Sequence, residues 1–564
     1  MFQELRAIQR DFGYLPADRL KALAESIDVP LSQIHAVASF YPHFHLSPPP
    51  QADVRVCGDM SCHLRGGDKV RSALDDAFEG ADPKKVCIRD VSCLGRCDQA
   101  PAIMVNDNIY SNVNSRDALT LAQDVLSGKA LPASPRAAAP MTVVCDPYTS
   151  NPDHGHEQYA VVRRFVENRN WQEIIGTLKI AGLRGMGGAG FPTSSKWELV
   201  RNAPGSTKYI VCNADESEPG TIKDRGIMEN IPYLVIEGMI TAGLVTGAQK
   251  GILYIRHEYE GAKEILQEEI ERCYRQRLLG SRILGSDLAF DLEIFVSPGG
   301  YICGEESALL EAIEGKRAEP RNKPPFPVTN GLWNEPTVIN NVETFCLATI
   351  ILARGADWYR SQGKNGSVGM KFVGISGDVN RPGIFEVPMG TTYGELIHDQ
   401  AGGIAGGGKL LAYAPSGPSS GYLPASMADL PLDWNAVAAA GSMVGSGAIV
   451  VCAEGRCMLD MALNATRFYR NESCGKCVPC RVGSQKLVEM LKGWTTGQGS
   501  EGDIQVLTEL STAMRQASIC GLGQVVPVPI ASVMKHFPGT VEEHMIHRRC
   551  TGGVCFSQAG QFDG

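Results

Sequence analysis

The sequence has no apolar run approaching the ~18–20 residues that a bilayer-spanning helix needs, which excludes an integral helical membrane protein. The opening MFQELRAIQRDFG is charged and amphipathic and lacks the apolar centre of a secretory signal, so a cytoplasmic chain is expected. Positive charge is also in short supply. Lysine and arginine number 53 against 62 aspartates and glutamates, and the resulting net charge of −9 argues against a nucleic-acid binder, whose affinity rests on cations that neutralise phosphates. No internal repeat is present. What remains is ordinary globular composition, 43% hydrophobic and 20% charged, which argues against general disorder. At 564 residues the chain is too long for one core and is expected to divide into several domains.

Against this background the 18 cysteines are the anomaly. Without an export signal they are better read as metal or cluster ligands than as disulfides, because cytosolic thiols stay reduced. Near the C-terminus SCGKCVPCR sets Cys474, Cys477 and Cys480 as C-x2-C-x2-C, and Cys520 follows after 39 intervening residues. Three close thiolates and one remote one suit a [4Fe–4S] cluster, with zinc as the rival. Upstream, Cys57 and Cys62 (C-x4-C) and Cys93 and Cys97 (C-x3-C) form two pairs that spacing alone leaves open between zinc and a cluster. His63 reads as a solvated or capping histidine rather than a ligand. Cys87, Cys145, Cys212, Cys273, Cys303, Cys346, Cys452 and Cys457 are scattered and read as small buried hydrophobes. Cys550 and Cys555, another C-x4-C, read as an unligated tail in preference to a metal clip.

The chain organises into seven segments. Residues 1–50 are a short N-terminal helical region, with Leu20, Leu23, Ile27 and then Ile34, Val37, Phe40 at helical spacing. Residues 51–129 alternate strand-like and helical texture and include a hairpin turning at 106–108, a small α+β domain. ALPASPRAAAPM lies in a linker, 130–149. Residues 150–355 have α/β texture, with strands expected at YIVC (209–212), GILYI (251–255) and LEIFV (292–296). A β-rich domain is expected over 356–440, opening with a hairpin at 370–387; a helical domain follows over 441–540 and a tail over 541–564.

The most glycine-rich stretch, GLRGMGGAGFPTSSKW at 182–197, places bare backbone beside Lys196. Adjacent amides free of Cβ atoms can converge on a phosphate. GMGGAG satisfies G-x-G-x-x-G, but the preceding WQEIIGTLKIAG is helical in pattern, so the usual strand context of a dinucleotide fingerprint is missing. After Lys196 a strand-like run ends in NADESEPG (213–220), whose carboxylates suit ribose or polyol hydroxyls. A structural glycine turn followed by a solvated acidic loop is the competing reading of these two segments alone.

Two more segments, YICGEESALLEAIEGKRAEPRNKPPFP (301–327) and NEPTVINNVET (334–344), follow in order. Together the motifs over about 150 to 540 resemble the flavoprotein NADH-oxidising subunit of respiratory complex I and its soluble relatives. VCGDMSCHLRGG and VSCLGRCDQAPAIMV resemble the thioredoxin-like [2Fe–2S] subunit that accompanies it; here the two are joined, with an N-terminal helical part shorter than is usual for that family. The resemblance implies a multidomain α/β and α+β fold with a thioredoxin-like domain, a Rossmann-like FMN- and NAD(H)-binding domain, a β-grasp-like domain and a C-terminal helical bundle. It implies FMN on Gly185, Gly187, Gly188, Lys196, Asn213, Asp215, Glu216, Gly304, Glu305, Asn340, Asn341 and Thr344. For NAD(H) it implies Phe191 and Phe326 as adenine-stacking faces, with Glu218, Glu306 and Lys323 as polar contacts. Leu199 stands where relatives often carry a further aromatic, so a thinner adenine sandwich is expected. It assigns a [2Fe–2S] cluster to Cys57, Cys62, Cys93 and Cys97 and a [4Fe–4S] cluster to Cys474, Cys477, Cys480 and Cys520.

The chemistry implied is conversion of paired electrons into single ones, since a nicotinamide gives up two together, a cluster takes one, and a flavin does both. No side chain need be a nucleophile or general acid; Glu306 is the residue expected to tune the site electrostatically. Overall the chain looks most like the β (diaphorase) subunit of NAD-dependent formate dehydrogenases, which implies a catalytic α subunit carrying molybdenum or tungsten pterin. The diaphorase of a NAD-reducing [NiFe] hydrogenase or a complex I-like dehydrogenase is the alternative, and a zinc-stabilised regulatory nucleotide-binding module is the alternative of another class.

Overall fold

The computed structural model describes residues 1–131, 140–148, 157–500 and 502–556. Three N-terminal helices, Phe2–Phe12, Ala17–Ser26 and Leu31–Phe40, bury Phe2, Leu5, Leu20, Ile34 and Val37 in one core with Tyr254, Ile302 and Leu309 of the α/β domain. The Tyr41 hydroxyl ties this region down by donating to the Lys316 carbonyl at 2.6 Å.

Strands β1 (Ala52–Cys57), β2 (Val86–Val91), β3 (Ala102–Val105) and β4 (Asn108–Ser111) form a mixed sheet in the order β2-β1-β3-β4, with β1 parallel to β2 and antiparallel to β3. The expected hairpin joins β3 to β4, and Asn106 takes the positive φ of 53° that a tight turn demands. Helices Gly67–Ala77 and Ser115–Leu126 bury Val70, Leu74 and Leu121 against Val54, Val56, Ile103 and Val105.

Of the expected linker, residues 132–139 and 149 lie outside the described residues; its end is structured rather than free. Strand β5 (Met141–Thr142) pairs parallel with β11 (Gly383–Pro388), and the Glu386 carboxylate accepts from the amides of Val144 at 2.6 Å and Cys145 at 2.8 Å.

The α/β domain centres on four parallel strands, β6 (Tyr209–Ala214), β7 (Lys250–Ile255), β8 (Asp291–Val296) and β9 (Thr337–Asn341), in the order β8-β7-β6-β9. Helices Pro232–Thr246 and Val342–Arg354 are apolar nearly all round because both are enclosed. All four carboxyl ends face one edge, where ligands sit in open parallel sheets. Strands β10 (Met370–Gly377), β11, β12 (Leu410–Pro418), β13 (Leu423–Pro424) and β14 (Ala448–Ala453) complete a six-stranded sheet, β13-β12-β14-β10-β11-β5. Strand β14 lies inside it between β12 and β10, so the β domain runs past the boundary expected at 440.

The helical region begins at Met458, with helices Met458–Asn471, Val478–Thr495, Gly502–Ala517, Val528–His536 and Pro538–Met545. The last of these crosses the boundary expected at 540. Residues 557–564 of the expected tail lie outside the described residues. No helix among the described residues is long and apolar enough to cross a membrane.

Candidate functional site

The glycine loop leaves helix Trp171–Ala181, as its sequence predicts, and closes on itself when the Gly185 amide donates to the Phe191 carbonyl at 2.9 Å. It is pinned to the carboxyl end of β9: the Met186 amide donates to Thr344 Oγ1 at 2.9 Å, and a Cβ on Gly187 would stand 3.0 Å from Asn341 Cβ. Gly188 holds φ at +137°, a conformation that L side chains rarely adopt. Helix Thr193–Asn202 then presents Lys196, whose ammonium donates to the Ile339 carbonyl at 2.8 Å and lies 4.0 Å from Glu306 Oε2; burial lowers its pKa. Trp197 Nε1 donates to Asn340 Oδ1 at 3.0 Å, so the paired asparagines hold the loop and its helix on the sheet.

Asn213, at the end of β6, donates from Nδ2 to the Gly304 carbonyl at 2.8 Å. Asp215 is buried; Ser217 Oγ donates to its Oδ2 at 3.0 Å, while Oδ1 has no partner. Burial pushes its pKa up to about 7, against the opposing pull of Arg256. A Cβ on Gly304 would stand 3.3 Å from the Asp215 carbonyl oxygen and 3.5 Å from Oδ2. A buried acceptor without a donor, beside closely approaching backbone, suits a hydroxyl-bearing ligand such as the ribityl chain of FMN.

The remaining acidic residues are differently engaged. The Glu216 carboxylate accepts from the amides of Asp224 at 2.7 Å and Arg225 at 3.0 Å and from the Tyr259 hydroxyl at 3.0 Å, so it caps helix Lys223–Asn230, and a ligand is left the backbone amide. Burial and neighbouring Asp224 raise its pKa. Glu305 caps helix Glu306–Ile313 through the amides of Ser307 and Ala308, both at 2.9 Å. Lys323 donates to Glu305 at 2.9 Å and to Glu306 at 2.6 Å, joining Lys196 in a four-residue charge cluster at the crevice. Glu218 accepts from the Tyr301 hydroxyl at 2.9 Å and the Ser419 amide at 3.0 Å. Phe191 and Phe326 are 45% and 52% exposed, which rules out core packing for either; Leu199 is exposed as well.

Cys474, Cys477, Cys480 and Cys520 line one small cavity with Ile302, Pro320, Lys476, Ile519 and Leu522. Cys477 and Cys520 sit at helix N-termini, whose free amides favour anionic sulfur. The turn Tyr301–Gly304 carries Ile302 into this cavity and Gly304 against Asp215, so a single turn separates the cysteine cavity from the glycine-loop crevice.

Cys57, Cys62, Cys93 and Cys97 are all buried, and the sulfurs of Cys93 and Cys97 are 3.3 Å apart. The Gly95 amide donates to Cys93 Sγ at 3.4 Å, and Gly220, from the NADESEPG segment, donates to Cys97 Sγ at 3.2 Å. Two arginines outside every sequence motif clamp the two domains. Arg256 donates to the Cys93 carbonyl at 2.7 Å and the Glu216 carbonyl at 2.6 Å, while Arg225 grips both oxygens of Asp98 at 2.8 Å. Glu472, also outside the motifs, accepts from the Tyr301 amide at 2.7 Å and from the Ser92 hydroxyl, bridging the surroundings of both cysteine sets. The only local signal of these three is a charged residue close to the end of a strand or helix. His63, expected as a solvated or capping histidine, lies instead between the carboxylates of Asp460 at 2.7 Å and Asp68 at 2.9 Å. Cys457, expected to be an isolated hydrophobe, instead has its sulfur 3.8 Å from that of Cys555.

Comparison with known proteins agrees segment by segment. Residues 1–125 match the thioredoxin-like [2Fe-2S] ferredoxin family, 178–349 the Nuo51 FMN-binding domain, 372–422 the SLBB domain, and 460–544 the NADH-ubiquinone oxidoreductase-F iron-sulfur binding region. An NADH-quinone oxidoreductase subunit of Rhizobium meliloti is 42% identical over 392 residues, 70% of this chain and 93% of the relative. NADP-reducing hydrogenase subunit HndC of Solidesulfovibrio fructosivorans is 42% identical over 383 residues, 68% of this chain and 78% of that one. A chain in the crystal structure of the H2-reduced NAD+-reducing [NiFe]-hydrogenase superposes with a TM-score of 0.86 at 32% identity, covering 96% of this chain and 93% of its own. With its cysteine sets, its glycine loop and these relatives in one order, the chain belongs to the complex I-type NADH-binding flavoproteins that carry FMN, a [4Fe–4S] cluster and, here, a thioredoxin-like [2Fe–2S] domain.

Proposed function

We propose that FMN lies between loop 185–191 and the carboxyl ends of β6 and β9, its phosphate met by the glycine amides and Lys196 and a ribityl hydroxyl donating to Asp215 Oδ1. Asn213, Gly304, Asn340, Asn341 and Thr344 shape that crevice, and Glu216 and Glu305 contribute backbone, their carboxylates being committed to helix caps. NAD(H) approaches from the open side, with Phe191 and Phe326 as adenine platforms and Glu218, Glu306 and Lys323 as polar contacts. Bound there, FMN supplies the exchange between the paired electrons of a nicotinamide and the single electrons of an iron–sulfur cluster. Glu306, between Lys196 and Lys323, balances their charge toward the phosphate and the nicotinamide. The observation that carries this reading is the turn Tyr301–Gly304, which gives the crevice and the four-cysteine cavity a common wall. A visible spectrum and NADH-dependent reduction of a one-electron dye test it. A colourless, inactive protein leaves only a zinc-stabilised nucleotide-binding module.

At a finer level, we read the chain as the diaphorase component of a cytoplasmic NAD-dependent formate dehydrogenase, receiving electrons from a molybdenum or tungsten α subunit. That reading rests on the overall resemblance of the sequence; the fusion of the [2Fe–2S] and flavoprotein parts in one chain suits either assembly. Similarity over 96% of the chain to a chain of an NAD+-reducing [NiFe]-hydrogenase favours the second reading, a hydrogenase diaphorase. Co-purification separates them: a molybdenum or tungsten partner with formate-dependent NAD+ reduction supports the first, a nickel–iron pair with hydrogen-dependent reduction the second.

A further inference from the structure

Apart from the flavin crevice and the two cluster sites, one group of metal-competent side chains stands together among the described residues. Cys457, His544, Cys550 and Cys555 bring their donor atoms within 4.8 Å of one another, although 98 positions separate the first from the last. The geometry points to a structural zinc ion held by the three cysteine sulfurs and His544 Nε2.

The distances are those of a single tetrahedral ion. Bonds of about 2.3 Å to sulfur and about 2.05 Å to nitrogen place two ligand sulfurs about 3.8 Å apart and a sulfur and a nitrogen about 3.5 Å apart. Cys457 Sγ lies 3.8 Å from Cys555 Sγ and 3.5 Å from His544 Nε2. A disulfide, with sulfurs about 2.05 Å apart, does not fit this separation. Four donors so close together leave no room for a cubane, in which each cysteine holds a different iron.

The surroundings are built for an ion. His544 is fully buried, and its Nδ1 faces the Thr540 carbonyl at 2.7 Å; a carbonyl only accepts, so Nδ1 carries the proton and Nε2 turns its lone pair toward Cys457. Cys457 stands at the N-terminus of helix Met458–Asn471, where the Asp460 amide donates to its sulfur at 3.5 Å and favours the thiolate. The loop CTGGVC needs both its glycines. A Cβ on Gly552 would stand 2.9 Å from the Cys457 amide nitrogen, and Gly553 has a φ of +66°.

Such an ion fastens the C-terminal segment to the first turn of helix Met458–Asn471. That helix also holds the thioredoxin-like domain, through Asp460 to His63 at 2.7 Å and through Asn464, which accepts from the Met60 amide at 2.8 Å. The zinc therefore braces the seat of the [2Fe–2S] domain from behind, without touching either cluster.

Elemental analysis and zinc K-edge X-ray absorption of the protein as purified, with its flavin and clusters, provide the test. One zinc per chain is expected, with a shell of three sulfurs at about 2.3 Å and one nitrogen at about 2.0–2.1 Å. A Cys550→Ser, Cys555→Ser double variant should fall below a tenth of an equivalent of zinc while keeping its iron and FMN. Wild-type protein with less than a tenth of an equivalent of zinc, a shell without sulfur, iron at this site, or a Cys457–Cys555 disulfide found by mass spectrometry would each overturn the proposal. Full retention of zinc by the double variant would do the same.

Discussion

Asn213 Nδ2 donates to the main-chain carbonyl of Gly304 at 2.8 Å, tying the carboxyl end of β6 to the turn whose Ile302 lines the four-cysteine cavity. The same turn abuts Asp215, so one short stretch of backbone packs against both sites.

Gly187 tests the glycine cradle. A Cβ there would lie 3.0 Å from Asn341 Cβ, closer than ordinary contact. Gly187→Ala should push the loop off β9 at a cost of about 1–3 kcal/mol, lowering FMN affinity by about tenfold or more. The flavin-to-protein ratio after gel filtration reads this directly; a full complement of tightly bound FMN would contradict it.

Asp215 should make the flavin-free protein pH-sensitive. Its folded pKa of about 7 lies above the ordinary value of 3.8, so folding favours the protonated form. Its contribution is complete below about pH 4 and is lost as pH rises toward 7, the folded protein being relatively weaker above that point. Thermal midpoints of flavin-free wild type and Asp215→Asn, compared across this window, should diverge as pH rises, with the variant the more stable at about pH 8. Parallel profiles would refute the assignment.

Arg225 and Asp98 form a buried ion pair, one guanidinium nitrogen donating to both carboxylate oxygens at 2.8 Å. Arg225→Ala leaves Asp98 buried without its partner, a loss of about 3–5 kcal/mol. The expected outcome is an early unfolding transition of the thioredoxin-like domain, seen by calorimetry or by proteolysis within residues 52–126.

Phe326 is more than half exposed and contributes little to the core. Phe326→Ala should leave the melting temperature nearly unchanged, since exposed substitutions fall within about 0.5 kcal/mol. Loss of an aromatic platform of about 0.5–1.5 kcal/mol should raise KM for NADH roughly two- to twelvefold with kcat retained. Steady-state kinetics with a dye acceptor checks both; a fall in kcat alone would point elsewhere.

Much of this protein was legible in its order of residues, and the legible parts are those whose geometry closes over a few positions. C-x2-C-x2-C at 474–480 puts three thiols around one helix N-terminus, the run 185–190 frees adjacent amides, and β6, β7 and β8 announce themselves as short apolar stretches. Local spacing cannot report what closes across hundreds of residues. The insertion of β14 into the β domain, the engagement of Glu216 as a helix cap, the Arg225–Asp98 clamp and the meeting of Cys457 with His544 and Cys555 each depend on packing. Covalent neighbours set which chemistry was present; burial of the apolar faces of separate domains decided which of those groups meet, because only the packed chain brings distant polar atoms out of water and into one another's reach.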